Sequence, residues 1–579
     1  MSVIADYYFN FNEGKTKEEL EALHERTARK IYHVCKENGG LYIKFGQAIA
    51  LQGTVLPPQF QKYLSLLFDK APNITRKELE FVLNRSFDYN VLEDFEEFSY
   101  EPVASASIAQ VHKIKVKDTG EYLALKVQKP AIEKQIWYDM LVYRNWCRLL
   151  EWRYEFPLTW SLEYAEKHFR METDFIQEAK NAELAAKVLA TDRELAKNVK
   201  IPKVNWKYTN RMVIAAEWID GLSLVKPEAV IETGINVTKL VDLVVNSFAQ
   251  QLFLSGHLHG DPHPGNLMVQ LTSLKDGSGV DGKPKKVRNS NDFKLVLLDH
   301  GLYIHESERF RIQHAKFWKS IFLQDTETTR EIAKLWGIQN SDFLSSMILF
   351  RPPIGKMTGR RGSSSTNGIH GHISGQESER KDAPEGDLIE NTEFERQMRS
   401  KRLAMDFFSD SSKLPPELMF VMRNMSMVRS INKSFGSPVN RIKIMADYAA
   451  VGSTMKHSLF YTERAVPSYF EEDSEIARKA KLFNVNERFE SKIIKGIWGY
   501  LTSNFSMLRY KLSLFLLDSV FYFHYYASFV SAWIQGEDMA TFRNSATSRG
   551  NFEVVMDQTM AERLEKRLGY KIDPNLFNA

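Results

Sequence analysis

Cysteine is almost missing. The 579 residues hold two, Cys35 and Cys147, with no CxxC spacing. That excludes a disulfide framework and a thiolate zinc site, and fits a reducing compartment. Net charge is also small, +4 from 77 basic and 73 acidic residues. The one-sided field that draws a chain onto nucleic acid is therefore absent. The N-terminus, "MSVIADYYFNFNEGKTKEEL", has no apolar core of a secretory signal and is too acidic for a transit peptide. No targeting segment is expected in this chain. Long apolar runs are scarce: the best, "SVFYFHYYASFVSAWI" at 519–534, includes His524. It falls short of the roughly 20 apolar residues that a span requires. It reads as a core helix of a large domain, with a surface-lying or lipid-facing helix and a membrane span as the alternatives. No internal repeat is visible.

What is present is ample apolar content, 43% of the chain, in alternating helical and strand periods. "KEELEALHERTARKIYHVCKE" is an amphipathic helix broken at Gly39-Gly40, and "LPPQFQKYLSLLF" begins another after its prolines. The period then shortens: "IAQVHKIKV" and "YLALKVQ" form a β-hairpin turned at Gly120. Residues 162–190 read as helix and "RMVIAAEWIDG" as a short strand. In the next helix Val237, Leu240, Val241, Val244, Val245, Phe248 and Leu252 form one stripe, and Gly256 stops it. "NLMVQL" and "FKLVLLD" are paired strands around the polar insert "KDGSGVDGKPKKVRNSND". Residues 352–392 are dense in Gly, Ser and charge and read as a disordered insert, and the remainder to 579 is mainly helical.

The densest polar constellation is "HGDPHPGN", residues 259–266. Three readings are open for these residues alone. His257, His259, Asp261 and His263 resemble an HxHxDH metal signature, although Pro262 shifts the last ligand by one. The Asp-Pro and Pro-Gly pairs also suit a plain turn. The third reading is the catalytic loop of a phosphoryl-transfer enzyme. In it an Asp handles the acceptor proton, an Asn five residues on holds a metal, and a further Asp beyond a strand pair binds Mg²⁺. Asp261 and Asn266 have that spacing, and "LLDHGLY" brings Asp299 to the third position, before His300 and Gly301.

Upstream, Ala124 and Lys126 share one face of their strand, as in a strand whose Lys meets nucleotide phosphates. A desolvated Lys needs a carboxylate, and "METDFIQEAKNAE" offers Glu172, Asp174 and Glu178. Asp174 and Glu178, four apart, share a face of a helix, and Glu172 lies about 120° away if the helix continues through it. Asp174 has a second reading, as an N-cap in a capping box with Gln177. Glu178 is the preferred partner of Lys126.

With these residues in view, the chain resembles the UbiB family of atypical protein-kinase-like proteins (AarF-domain-containing kinases), in the branch with DHG for DFG. Over residues 35–345 it carries "KFGQ" from Lys44 to Gln47, "ETD" from Glu172 to Asp174, and "ASAS" at Ala104, Ser105, Ala106 and Ser107. The resemblance implies an α+β, bilobal kinase-like fold with a helical N-terminal KxGQ extension and additional C-terminal helices. The domain boundaries expected are 1–95 for that extension, 96–220 for the N-lobe, 221–351 for the catalytic core, 352–392 for the insert and 393–579 for the C-terminal helices. ATP or ADP with Mg²⁺ would bind through Lys126, Asn266 and Asp299, with Glu178 orienting Lys126 and Asp261 as catalytic acid or base.

Lys44 and Gln47 would lie over the cleft and approach Glu172 and Asp174 as a regulatory set. The Ala/Ser loop would replace a Gly-rich phosphate loop and alter the grip on phosphate. The backbone of Glu217, Trp218 and Ile219 would meet adenine as the hinge. His263 stands where serine/threonine kinases place a Lys, which disfavours ordinary peptide phosphorylation. The family further implies a mitochondrial, membrane-associated protein of lipid or coenzyme Q homeostasis, with a membrane lipid or lipid-biosynthesis protein as partner. A nucleotide-switched scaffold and a peptide kinase are the rival readings.

Overall fold

The computed structural model describes residues 16–39, 58–68, 73–132, 171–274, 286–338, 341–349, 415–455 and 510–516, with isolated positions elsewhere. Helix α1 (Lys17–Asn38) starts on a full capping box. The Thr16 hydroxyl accepts from Glu19 N–H, the Glu19 carboxylate accepts from Thr16 N–H, and Gly39 ends the helix at φ 68°. Its apolar face packs on α2 (Pro58–Leu64) around Ala28, Cys35, Phe60 and Leu64. Helix α3 (Arg76–Ser86) follows, again with a Thr-Glu capping box.

Strands β1 (Phe95–Phe98), β2 (Ala104–Ser105), β3 (Ala109–Val116) and β4 (Tyr122–Gln128) then form an antiparallel sheet, completed across the gap by β6 (Val213–Glu217). Period-two alternation decides which face is which. Leu123, Leu125 and Val127 are buried with Leu79, Val82, Ile114 and Val213, so α3 covers that side. Ala124 and Lys126 are half-buried on the other side. That side meets α4 (Phe175–Leu189), whose Phe175, Ala179 and Ala182 cluster with Ala109 and Ile214.

Helix α5 (Arg193–Asn198) and strand β5 (Val199–Lys200) lead into the second sheet, where β5 pairs in parallel with β10 (Phe293–Leu297). Beside β10 lie β9 (Leu267–Leu271) and β7 (Leu222–Ser223). The polar insert between β9 and β10 is closed by a bridge from Leu274 to Val287. Between β7 and β9 run α6 (Pro227–Ile231) and α7 (Val237–Gln250). The seven stripe residues of α7 and its continuation are all buried. Leu243, Ser247, Ala249 and Gln250 are buried too, so the helix runs inside the core rather than along its edge.

The last turn of that helix, Gln251–Ser255, widens to π geometry before Gly256 stops it at φ 66°. Strand β8 (His257–His259) then pairs antiparallel with β11 (Tyr303–His305), which ties the loops after both strands to one small sheet. Helices α8 (Glu308–Leu323), α9 (Thr326–Leu335), α10 (Ser341–Leu349), α11 (Pro416–Ser434) and α12 (Arg441–Gly452) join the same apolar core as α7. Arg311 of α8 staples it internally, its guanidinium donating to Phe253 O at 2.8 Å and to Gly452 O at 3.4 Å.

The fold is therefore α+β, two main sheets with helices packed on and beyond them. No helix among the described residues is long and apolar enough to cross a membrane. The insert expected at 352–392, residues Lys44 and Gln47, and most of 519–534 lie outside the described residues.

Candidate active site

Strand β4, helix α4 and the segment just after β10 bring one charged group each to a common point. Lys126, in the middle of β4, places Nζ 2.7 and 2.9 Å from the two carboxylate oxygens of Glu178. Asp299, two residues beyond β10, brings Oδ2 to 3.6 Å from the same ammonium. Glu178 sits in the first turn of α4 and its side chain is 5% exposed. Burial, together with the Asp299 charge, pushes the Glu178 carboxyl up to about 7 against the pull of Lys126. For Lys126 burial acts downward, but the Asp299 and Glu178 charges outweigh it and hold the ammonium protonated. One cation thus serves two carboxylates. Three residues from 126 to 299 converge as the sequence spacing required.

Helix α4 begins later than the sequence suggested. Asp174 is extended and acts as the N-cap, accepting from the N–H groups of Ile176 and Gln177 at 3.1 and 3.4 Å. It therefore does not share a helix face with Glu178, which corrects that expectation. The capping box is incomplete, because the Gln177 side chain donates forward to Asn181 at 2.9 Å instead of reaching back. Glu172 is half-buried just before the cap, and its charge adds to those that keep Lys126 protonated.

The catalytic-loop candidates are held by their backbone neighbours. The Asn266 amide donates from Nδ2 to Asp261 O at 3.0 Å, which turns its Oδ1 to other uses. His259 links this loop to the Asp299 segment. Asp261 N–H donates to His259 Nδ1 at 3.0 Å, so Nδ1 must accept and the ring proton lies on Nε2, which donates to Asp299 O at 2.8 Å. Burial lowers the His259 pKa and keeps the ring neutral, as this pairing needs. The π turn contributes here as well, since Gln251 Oε1 accepts from His259 N–H at 2.9 Å.

His300, in the DHG triplet, points inward. Its Nε2–H donates to Leu297 O at 3.2 Å and its Nδ1 accepts from the Tyr303 hydroxyl at 3.1 Å. Burial depresses it to about 3. Asn181 of α4 donates to His300 O at 3.0 Å, so the helix that carries Glu178 also grips the Asp299 loop. His257, His259, Asp261 and His263 do not converge as metal ligands. The His259 ring is fully engaged, and the His263 Nδ1 accepts from Gly265 N–H at 3.0 Å.

The Ala/Ser segment is a tight β2–β3 turn. Ala104 and Ser105 pair with Val111 and Gln110, Ala106 N–H donates to Ala109 O at 2.8 Å, and Ser107 is buried. Lys129 closes it from below, donating to Ala106 O at 2.7 Å, and desolvation lowers this amine to about 8. At the hinge the expectation narrows. Glu217 N–H donates to Lys203 O at 2.9 Å and Trp218 N–H to Tyr122 O at 3.1 Å, leaving Ile219 N–H as the donor of the three for an adenine edge.

The residues fit a magnesium nucleotide. The Asp299 carboxylate is 44% exposed beside the cleft, and Asn266 presents an amide oxygen. These hard oxygen donors suit Mg²⁺ that keeps its other positions for water and phosphate. No group of three or more His, Cys, Asp or Glu gathers among the described residues, an arrangement that a metal held by protein alone would need.

One residue had no signal in the sequence. Arg423, in α11, donates from Nη2 to Asp261 Oδ1 at 2.7 Å. The roles of His259, His300 and Asn181 were also missed. His259 and His300 carried a hint, through their places in the quoted loop and in the Asp-His-Gly triplet.

The family model of the ABC1 atypical kinase-like domain matches residues 66–333. An ABC1 family protein of Schizosaccharomyces pombe is 31% identical over 469 residues, covering 81% of this chain and 80% of its own length. The ABC1 family protein lscO of Purpureocillium lilacinum is 33% identical over 457 residues, 74% of this chain and 71% of its own. AarF domain-containing kinase 1 of Drosophila melanogaster is 30% identical over 339 residues, 58% of this chain and 61% of its own.

Proposed function

The chain belongs to the ABC1 atypical kinase-like family, and on that footing we propose that it is a Mg²⁺-dependent ATP-binding enzyme that hydrolyses ATP or transfers its γ-phosphoryl group. The observation that carries this reading is the contact of Lys126 with both Glu178 and Asp299. An ammonium fixed by Glu178 and standing beside the Asp299 carboxylate sets a cation for phosphate oxygens next to an anion for their metal, the two groups that a magnesium triphosphate calls for. When bound, Mg²⁺ neutralises phosphate charge. The chain's own residues do the rest. Glu178 fixes Lys126, which would hold the phosphates, Asn266 and Asp299 would hold the metal, and Asp261 would take the proton of the attacking hydroxyl.

The membrane setting, a mitochondrial location and service to lipid or coenzyme Q homeostasis rest on the family resemblance and form part of the same proposal. ATP turnover of the full chain, measured with and without lipid vesicles and with Asp261→Asn as control, tests it. The expected result is Mg²⁺-dependent turnover that vesicles stimulate and the variant loses. Binding of Mg-ATP without turnover in either protein would instead favour a nucleotide-switched scaffold.

A further inference from the structure

The catalytic loop contains no lysine or arginine between Asp261 and Asn266, and its one basic ring, His263, caps the short helical turn that follows. A phosphoryl group leaving its nucleotide gathers charge on its peripheral oxygens. A cation beside the attacking hydroxyl is the usual means of stabilising it. The structure supplies one from elsewhere. Arg423 reaches Asp261 from a position 162 residues further along the chain, with Nη2 at 2.7 Å from Oδ1. The pair is half-buried, with side chains 35% and 27% exposed, so it is neither a solvated surface contact nor sealed from the cleft.

The helix that carries Arg423 is fixed against the same loop. Its neighbour Asn424, fully buried, donates from Nδ2 to His259 O at 2.9 Å. Consecutive residues of α11 therefore hold the carboxylate of Asp261 and the backbone two residues before it. Among the described residues the guanidinium is only partly used: Nε is buried with no hydrogen-bond partner and Nη2 donates to Asp261. Nη1 is left for an oxygen anion, in the planar fork that suits a phosphoryl group.

We propose that Arg423 is a catalytic residue, a cation supplied by α11 that holds Asp261 through one Nη and the transferred phosphoryl group through the other. This rests on the phosphoryl-transfer reading above and names the group that reading lacks. In the step, the bond from the γ-phosphorus to the β–γ bridging oxygen breaks, and its electron pair leaves on ADP. A bond forms to the oxygen of water or of an acceptor hydroxyl, whose proton passes to Asp261. Arg423 stabilises the charge on the three peripheral oxygens, and no proton leaves it.

The test uses the full chain with Mg-ATP as the probe, comparing wild type, Arg423→Met, Arg423→Lys and Asp261→Asn. Arg423→Met should lower kcat by about 100-fold while the Kd for Mg-ATP stays within about threefold. Added guanidinium ion should restore part of the lost rate in Arg423→Met and none in Asp261→Asn. Should Arg423→Met not fold, Arg423→Lys retains the charge without the fork and should still lose turnover at an unchanged melting temperature. Unchanged or raised kcat in the folded variant overturns the proposal, a rise marking Arg423 as a restraint on Asp261. A loss that guanidinium does not relieve overturns it as well. Wild-type turnover in Asp261→Asn would instead overturn the phosphoryl-transfer reading itself, a separate result.

Discussion

Lys126 and Glu178 stand 52 residues apart in sequence and are joined by two contacts, at 2.7 and 2.9 Å, across the interface of β4 and α4. The pair is largely buried, with side chains 18% and 5% exposed. Removing Lys126 leaves Glu178 without its cation, whereas removing Glu178 still leaves Lys126 beside Asp299 at 3.6 Å.

Lys126→Met should therefore cost about 3–5 kcal/mol in urea unfolding, and it should also remove nucleotide affinity. The double variant Lys126→Met/Glu178→Gln should be more stable than the single Lys126→Met, because it no longer buries a carboxyl group stripped of its hydrogen-bond partner. Equal or lower stability of the double variant would show that the pair contributes little coupling.

Asp299→Asn keeps an oxygen to accept from Gly301 N–H, which Asp299 Oδ1 now does at 2.9 Å, while removing the charge beside the cleft. The expected outcome is a folded protein whose affinity for Mg-ATP falls by about tenfold or more, since the metal loses an anionic ligand. Affinity for ATP in EDTA should change far less. Titration of a fluorescent ATP analogue with and without Mg²⁺ reads both, and equal Mg-ATP affinity would remove Asp299 from the metal site.

Gly260 lies where the catalytic loop crosses the Asp299 segment. A Cβ there would meet Leu302 Cγ at 2.7 Å and Cδ2 at 2.9 Å. Gly260→Ala should destabilise the protein by about 1–3 kcal/mol and lower turnover by shifting Asp261. Leu302→Ala in the same chain should recover part of the turnover, because it empties the volume the methyl group needs. Failure of that recovery would place the effect elsewhere.

His300 is held near pKa 3 by burial, against its ordinary value of 6.5. A base whose folded pKa is depressed contributes stability that is present above 6.5 and is lost as pH falls toward 3, where only the unfolded chain binds the proton. His259 is lowered in the same sense. Stability should fall over that window, and His300→Phe should reduce the slope by up to about 1.4 kcal/mol per pH unit. Chemical denaturation at a series of pH values measures it, and an unchanged slope would mean that another group takes the proton.

The α+β pattern was legible in the residues. The alternation in "YLALKVQ" put Leu123, Leu125 and Val127 into one core and Ala124 and Lys126 on the other face, as found. The seven-residue stripe before Gly256 is buried throughout. Both follow from local periodicity, which a chain with one side in water and one in a core must obey. The spacing of Asp261, Asn266 and Asp299 singled them out only when set against a phosphoryl-transfer loop, and the structure links the three through Asn266 on Asp261 O and His259 between Asp261 and Asp299.

Tertiary structure decided the rest. Whether Asp174 lay on the helix or capped it depended on where the chain turned before Phe175, and propensity alone left both open. The partners of His259 are Asp261 N–H and Asp299 O, and those of the hinge amides are Lys203 O and Tyr122 O. All are backbone groups whose place no residue type announces. Arg423 is the clearest case: nothing in "ELMFVMRNMSM" distinguishes it from an exposed helical arginine. Sequence periodicity sets which face of an element is apolar. Only the packing of α11 against the catalytic loop, between residues 162 positions apart, sets which charge meets Asp261.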